Sequence, residues 1–344
     1  MGDYMITVTA IIPVYNVKSF LPRCLDSVLR QTVPFERVVI INDGSTDGCR
    51  EICESYSENY NNIRLINKEN GGLVSAWMEG LKYVETSHIC FIDSDDFISE
   101  DYLETLVRGI DSDVDMVCMN ATQAFDTGEQ RLFRINGLAP GTYEINDEFK
   151  GRMLSDHGAF VRPVASCRWA KLIRADLVIK YSQYCTQEIS YGEDQQLTLG
   201  VLLGCKRIRI LDEYKYYYQY NTTSILHTYR KNLWEKIELL MKTIDGIPGM
   251  RDIPEYQKQY NTQFLLYFCE CVRNEFYNGS LTKKNYIKLV SSNNVQIALK
   301  DFFQDNLRRI DRIIINNAQN KEYIITVLFL ELYKLIYRIR RIPG

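Results

Sequence analysis

The chain has 344 residues, 46% of them hydrophobic, enough for one large core or two modest ones. Its 41 basic and 44 acidic side chains leave a formal charge of −3, and no basic cluster interleaved with aromatics precedes the C-terminal end, which excludes nucleic acid as a partner. Ten cysteines without paired C-x₂-C modules suit free thiols in a reducing cytosol rather than a zinc module or a disulfide framework. After Met1-Gly2-Asp3-Tyr4 the chain goes straight into a β-rich run, so no signal peptide is expected, and Ile6 does not fit N-myristoylation. A cytoplasmic location follows as the expectation.

The first ninety residues alternate between short apolar runs and amphipathic stretches. Strands are predicted at Ile6–Pro13, Arg37–Asn42, Ile63–Asn67 and His88–Ile92, and helices at Ser19–Gln31, Asp47–Tyr60 and Leu73–Val84. This order implies βαβ units on a parallel sheet, and the nearly continuous apolar strands imply a sheet covered on both faces. Polar punctuation falls after the strands: Tyr15-Asn16, then Asn42-Asp43-Gly44-Ser45, then Asp93-Ser94-Asp95-Asp96. In an open parallel sheet those ends share one edge, where the ligand crevice lies.

Three carboxylates at the end of a buried strand repel one another, and burying them unpaired costs several kcal/mol. A hard divalent cation, Mg²⁺ or Mn²⁺, removes that cost, since such ions take oxygen ligands from a few carboxylates and from substrate phosphates. The bland alternative for Asp93–Asp96 is an acidic turn capping the helix that starts near Glu100. Asp43 sits in a tight turn where a short carboxylate accepts two hydrogen bonds from a base edge or a ribose diol, or else forms an Asx-turn or helix cap. Gly71-Gly72 either lets a diphosphate approach N–H groups at a helix N-terminus or is a plain turn into that helix. There is no G-x-G-x-x-G fingerprint to support a nicotinamide enzyme.

Five segments in register, Ile11-Ile12-Pro13-Val14-Tyr15-Asn16, Asn42-Asp43-Gly44-Ser45-Thr46-Asp47, Asn70-Gly71-Gly72-Leu73, Asp93-Ser94-Asp95-Asp96 and Gly192-Glu193-Asp194, resemble the inverting nucleotide-sugar glycosyltransferases of family 2, across roughly the first 230 residues. The resemblance implies an α/β chain with the GT-A fold: a Rossmann-like, mostly parallel sheet flanked by helices, with an α-helical C-terminal region. It implies that Pro13 and Tyr15 line a base pocket and that Asp43 holds the uracil or ribose end of a UDP-sugar. Asn16, Asn70, Gly71, Gly72 and Ser94 belong to the same donor-binding segments. Asp93 and Asp95 become the D-x-D that holds nucleotide and metal, Mn²⁺ or Mg²⁺. One departure is Trp77-Met78, where many relatives carry an Arg-Asn pair; Trp77 lines the sugar pocket or belongs to the core.

From about Asp111 the alternation loosens, and 126–136 with 137–146 reads as an irregular hairpin region. Ser166-Cys167-Arg168-Trp169-Ala170-Lys171-Leu172 follows, similar to the family's Trp-x-Lys-Leu segment. Lys171 either approaches the diphosphate or snorkels from a strand to the surface. Glu193-Asp194 opens a helix; carboxylates there suit the helix dipole in any case, and the resemblance makes Asp194 the general base with Glu193 as the next candidate. His227, one of three histidines, completes the metal site or contacts phosphate, or is an ordinary surface or core residue.

Beyond Lys231 helical apolar spacing prevails. The last segment, from Tyr323, has a wide apolar arc and a narrow polar stripe of Glu331, Lys334, Arg338 and Arg341. It is short of the roughly 20 apolar residues needed to span a bilayer. It suits the membrane interface, or packing into the protein or a homodimer. The expected organisation is therefore a nucleotide-sugar half (1–110), an acceptor half (111–230) and a helical, membrane-associating region (231–344). The expected function is metal-dependent inverting transfer of a hexose or N-acetylhexosamine from a UDP-sugar to a saccharide, on a lipid-diphosphate carrier, in bacterial surface-glycan assembly. A nucleotidyltransferase or a catalytically silent sugar-binding scaffold are the alternatives.

Overall fold

A computed structural model describes residues 6–159, 161–220 and 229–339, with side chains as far as residue 336. The chain opens β1 (Val8–Val14), α1 (Leu21–Leu29), β2 (Arg37–Asp43), α2 (Cys49–Asn59), β3 (Ile63–Lys68), α3 (Gly72–Leu81) and β4 (His88–Phe91). These four strands pair in parallel in the order β3-β2-β1-β4. All seven residues of β1 are buried, so the strand reads as an unbroken apolar run. Its side chains alternate all the same. Ile11 joins Val39, Ile41, Trp77 and Phe91 on one face, while Ala10, Ile12 and Val14 join Leu21, Leu25 and Val28 on the other. Each fully buried Leu or Ile is worth about 1.5–3 kcal/mol of transfer free energy, which makes this layer the main source of cohesion.

The pairing of β1 is unequal on its two sides. It follows β2 out to Val14 but follows β4 only from Val8 to Ile11. The ladder to β4 ends where the Ile92 N–H donates to the Ile11 carbonyl at 3.1 Å. Pro13 lies two residues further, facing the same side, and has no N–H to extend that ladder. The β1–β4 ladder therefore ends there, while β1 continues beside β2.

The second half contributes β5 (Phe97–Ile98), α4 (Tyr102–Arg108), β6 (Met116–Cys118), β7 (Ala121–Phe125), β8 (Gln130–Phe133), β9 (Gly141–Glu144), α5 (Asp147–Met153), β10 (Lys171–Arg174), α6 (Ala175–Ser182), α7 (Glu193–Gly204), β11 (Arg207–Ile210) and β12 (Tyr216–Tyr220). The large sheet continues β4-β10-β6-β11-β9, with β10 antiparallel to both neighbours, and a smaller sheet runs β5-β12-β7-β8. The region expected as an irregular hairpin thus divides between two sheets: β8 pairs with β7, whereas β9 forms the edge beside β11. Both strands are largely exposed, so neither needs the apolar alternation that announces a strand.

The remaining helices are α8 (Leu233–Asp245), α9 (Tyr256–Tyr277), α10 (Lys283–Val290), α11 (Asn293–Ala298), α12 (Arg309–Gln319) and α13 (Tyr323–Ile339). They share a core with the sheet: one cluster runs from Ile11 and Trp77 through Leu197, Leu240 and Phe268 to Ile314 and Leu330. α13 packs through a narrow face, with Thr326 and Leu330 fully buried and the Tyr286 and Thr326 hydroxyls 3.1 Å apart. Its wide arc, Ile324, Ile325, Leu328, Leu332, Leu335 and Ile336, is exposed. Among the described residues no helix is long and apolar enough to cross a membrane.

Candidate active site

The loops after β1, β2 and β4 meet at the carboxyl edge of the sheet, beyond the end of the β1–β4 ladder. Tyr15, just past β1, is 50% exposed, whereas Pro13 is buried opposite Ile41 within the ladder. Asn16 adopts φ +51°, a left-handed conformation that Asn tolerates. Its carbonyl Oδ1 accepts from the Thr46 N–H at 2.8 Å, and its own N–H donates to Ser45 Oγ at 3.2 Å. Asn16 therefore ties the loop after β1 to the loop after β2 and leaves the Tyr15 ring presented above them.

Asp43 ends β2 and is 2% exposed. Its carboxylate accepts from Lys68 Nζ at 2.6 Å, from the Gly71 N–H at 3.0 Å and from the Gly72 N–H at 2.8 Å. Where Asp43 is expected to face a base, and Gly71 and Gly72 to offer their N–H groups to a diphosphate, the structure shows the three residues bonded to one another. The donors and the acceptor satisfy each other. Asp43 acts as the anion at the N-terminus of α3, where unpaired N–H groups and the helix dipole favour negative charge. It thus caps not the helix that follows it in sequence but the one after. Gly44 permits the approach: at φ +73°, a Cβ there would lie 2.7 Å from the Asn70 nitrogen. Asn70 itself is exposed at the rim.

The acidic segment after β4 divides its labour. Asp96 is 1% exposed and accepts from the Tyr216 hydroxyl at 2.7 Å and the Gln219 N–H at 2.8 Å. The Asp93 N–H donates to that same Tyr216 hydroxyl at 3.1 Å, so β12 fixes the turn. Ser94 is buried within it, and Asp93 and Asp95 remain partly accessible. Burial pushes both carboxyls up from their usual range, with Asp194 and Asp95 adding to the rise at Asp93. Arg168 opposes the rise at Asp93 and Arg23 opposes it at Asp95.

The second group of carboxylates is brought in by α7. Gly192 stands before it at φ +68°, where any Cβ would meet Leu240 Cδ2 at 2.6 Å, so a glycine and the wall of α8 together turn the chain into the helix. Glu193 and Asp194 form the first turn of α7. Burial first, then the Asp194 charge, pushes Glu193 up. The loop is held from behind by α9: the Tyr191 hydroxyl donates to Glu270 at 2.5 Å, Arg230 pairs with Glu270 at 2.7 Å, and the Tyr267 hydroxyl donates to Gln195.

Arg168 joins the two sides. Its side chain is 1% exposed, against 27% for Asp93 and 22% for Asp194. Nη1 donates to Asp194 Oδ1, Nη2 donates to Asp93 Oδ1 at 3.2 Å, and the Arg168 N–H reaches Asp194 Oδ2 at 3.3 Å. Its guanidinium lies 6.0 Å from the Trp77 ring centre and 5.7 Å from that of Phe91. Burial works against the Arg168 charge, but Asp194 and Asp93 more than compensate and keep it protonated. Sequence reasoning quoted this residue without giving it a role. The available signal was an arginine set between cysteine and tryptophan directly ahead of a buried strand.

Other expectations move. Lys171 does not approach a diphosphate, nor does it snorkel: it is 1% exposed in β10, enclosed between β4 and β6, and Nζ donates to the Cys167 carbonyl at 2.6 Å. Trp77 is fully buried against Phe91 and belongs to the core. His227 lies outside the described residues. Among the described residues no group of three or more His, Cys, Asp or Glu side chains converges as a metal cage. Asp93 and Asp95 offer only hard oxygen donors, which fits a cation shared with a substrate's phosphates better than one enclosed by protein.

A large, mostly parallel sheet flanked by helices, followed by a helical C-terminal region, is the architecture of the GT-A class of sugar-transfer folds. Comparison with known proteins agrees. Residues 9–169 match the model of "Glycosyl transferase family 2". The putative glycosyltransferase EpsH of Bacillus subtilis (strain 168) is 28% identical over 310 residues, covering 88% of this chain and 86% of that one. The minor teichoic acid biosynthesis protein GgaB of the same organism is 29% identical over 219 residues, which is 61% of this chain but 23% of that longer protein. The crystal structure of S. aureus TarS 1-349 in complex with UDP-GlcNAc superimposes with a TM-score of 0.68 at 19% identity, covering 96% of this chain and 92% of that one. The chain belongs to glycosyl transferase family 2 and is a glycosyltransferase of the GT-A fold.

Removing the Asp43 carboxylate takes the anion from the α3 N-terminus, while Lys68 keeps its bond to the Glu69 carbonyl and both glycine N–H groups stay open to water. Asp43→Ala is expected to lower stability by about 0.5–2 kcal/mol, the usual cost of a lost helix cap. A denaturation midpoint close to that of wild type would show that the cap contributes little.

Proposed function

We propose that the protein transfers a hexose or N-acetylhexosamine, with inversion, from a UDP-sugar to a hydroxyl of a saccharide acceptor during surface-glycan assembly. The observation that carries this reading is the shared guanidinium of Arg168, which sets Asp194 opposite Asp93 across one crevice. The GgaB name and the UDP-GlcNAc bound by TarS support a donor of this kind and a cell-surface acceptor.

The chemistry follows from the placement. The exposed Tyr15 ring offers a stacking face for uracil, and Asp43 holds the loop beneath it through the α3 N-terminus. Asp194 accepts the proton of the acceptor hydroxyl as that oxygen bonds to the anomeric carbon. The bond from that carbon to the diphosphate breaks and UDP leaves with the electron pair. A single displacement on an α-linked donor gives a β-linkage and needs no enzyme nucleophile. Each oxygen of Asp194 already accepts one hydrogen bond, which aims its remaining lone pairs. Asp95 and Asp93 would hold Mn²⁺ or Mg²⁺, which supplies positive charge against the diphosphate.

Asp194→Asn is expected to lower kcat by about 10²–10⁴-fold, the usual contribution of a general base, with UDP-sugar affinity little changed. Transfer above about a tenth of the wild-type rate would move the base to Glu193. A panel of UDP-sugars scored for transfer and hydrolysis identifies the donor. For the cation, calorimetry of UDP with and without Mn²⁺ decides: Asp95→Ala is expected to abolish the metal-dependent part of binding, and an unchanged metal dependence would remove Asp95 from that role.

The outward arc of α13 fits an anionic lipid surface. Apolar side chains fill the arc, and the sequence carries Lys334, Arg338, Arg340 and Arg341 toward its C-terminal end, where each cation near an anionic surface contributes about 1 kcal/mol. An acceptor carried on a lipid diphosphate would be met there. Because Thr326 and Leu330 anchor the helix, point changes test this better than truncation. Leu328→Glu with Leu335→Glu is expected to abolish co-sedimentation with anionic vesicles while a soluble acceptor is still glycosylated. Unchanged vesicle binding, or a wild-type dimer that the two changes dissociate, would overturn the membrane role.

A further inference from the structure

Arg168 has a property that neither carboxylate has by itself: it is one rigid body in contact with both halves of the crevice. The guanidinium is planar, so the directions of its two Nη groups are fixed relative to each other. Nη1 is committed to Asp194 and Nη2 to Asp93, while the Arg168 backbone N–H holds the second Asp194 oxygen. Asp194 is thus gripped on both oxygens by one residue. Arg168 cannot swing away, since it is 1% exposed with Trp77 and Phe91 on its faces. The chain on either side is also pinned: the Cys167 carbonyl receives Lys171 Nζ at 2.6 Å, and the Trp169 ring stacks on Tyr216 at 4.7 Å. Tyr216 is the residue whose hydroxyl fixes the Asp93–Asp96 turn. One short segment therefore references the donor-side turn and the acceptor-side base to the same point.

We infer that Arg168 is the positioning residue of this site, holding the Asp194 carboxylate at a fixed place and orientation relative to Asp93. It touches no substrate and acts through Asp194. The inference rests on the assignment of Asp194 as the base. It also gives the buried Lys171 a purpose, as the brace of the Cys167 carbonyl immediately before Arg168. Lysine at 168 would keep the charge but not the fork, and could satisfy only one carboxylate in that geometry. A base displaced by about 1 Å costs about 10²-fold in rate.

The test is a double-mutant cycle on the full chain, read by kcat, donor KM and calorimetric UDP affinity. Arg168→Lys is expected to lower kcat by about 10²-fold, the cost of misplacing a reacting group, with donor KM and UDP affinity within about threefold of wild type. In the Asp194→Asn background the same change is expected to cost less than about threefold, because residues that act as a unit are not additive. Arg168→Gln, which keeps an amide donor at lower volume, serves the same cycle if the lysine variant does not accumulate as folded protein. Losses that multiply in the double variant would mean that Arg168 works independently of Asp194, and equal losses in kcat and UDP affinity would make it a general structural prop. Either result overturns the positioning role. A fully active Asp194→Asn single variant would instead remove the base assignment and leave the cycle without its reference, a failure distinguishable from the other two.

Discussion

Negative charge gathered at the carboxyl edge of the sheet is the constraint around which the structure is arranged. Asp93, Asp95, Asp96, Glu193 and Asp194 converge there, and burial drives the carboxyls of Asp93, Asp95, Asp96 and Glu193 upward. The fold answers each in a different way. Asp96 receives neutral donors from β12, Asp93 and Asp194 share Arg168, and Asp95 has the more distant charge of Arg23. A buried guanidinium alone is costly, and removing one member of such a triad leaves an uncompensated charge. The three residues are therefore stable only together, and that mutual dependence brings two distant parts of the chain to one crevice.

The crevice itself is a consequence of unequal strand pairing. β1 follows β2 for the length of both but abandons β4 after Ile11, and Pro13 has no N–H with which to prolong the pairing. The Asp43 capping interaction ties the end of β2 to the start of α3 beside that edge. The exposed Tyr15 sits over a floor made rigid in this way.

The helical C-terminal region is part of the same construction. α9 reaches the loop before α7 through Glu270 and Tyr267, and Leu240 of α8 closes against Gly192. The segment carrying Asp194 is thus supported by helices that begin about forty residues or more further along the chain. α13 takes the opposite course, spending a narrow face on packing and leaving its apolar arc outward.

The parallel sheet, its first four strands and three crossover helices were legible in the sequence, because β1, β2 and β4 are buried on both faces and are mostly apolar, and amphipathic stretches separate them. The D-x-D-D segment stood out because carboxylates at the end of a buried strand carry a cost that demands a reason, whereas Glu193-Asp194 stood out through the resemblance to family 2 alone, since carboxylates in a first helical turn need no further reason. The strands β8 and β9 were not, since exposed edge strands have no pattern to show. The roles of Asp43, Lys171 and Arg168 were likewise beyond the sequence. Asp43 and Arg168 have charges whose meaning depends on which partner lies within about 3 Å, the range of a hydrogen bond, and those partners come from 25 to 75 residues away. The partner carbonyl of Lys171 is only four residues back, but the burial of this lysine comes from the placement of β10 between β4 and β6. Local pattern determined where the charges are; only the tertiary fold decided which of them cap a helix, which brace a turn and which face the crevice.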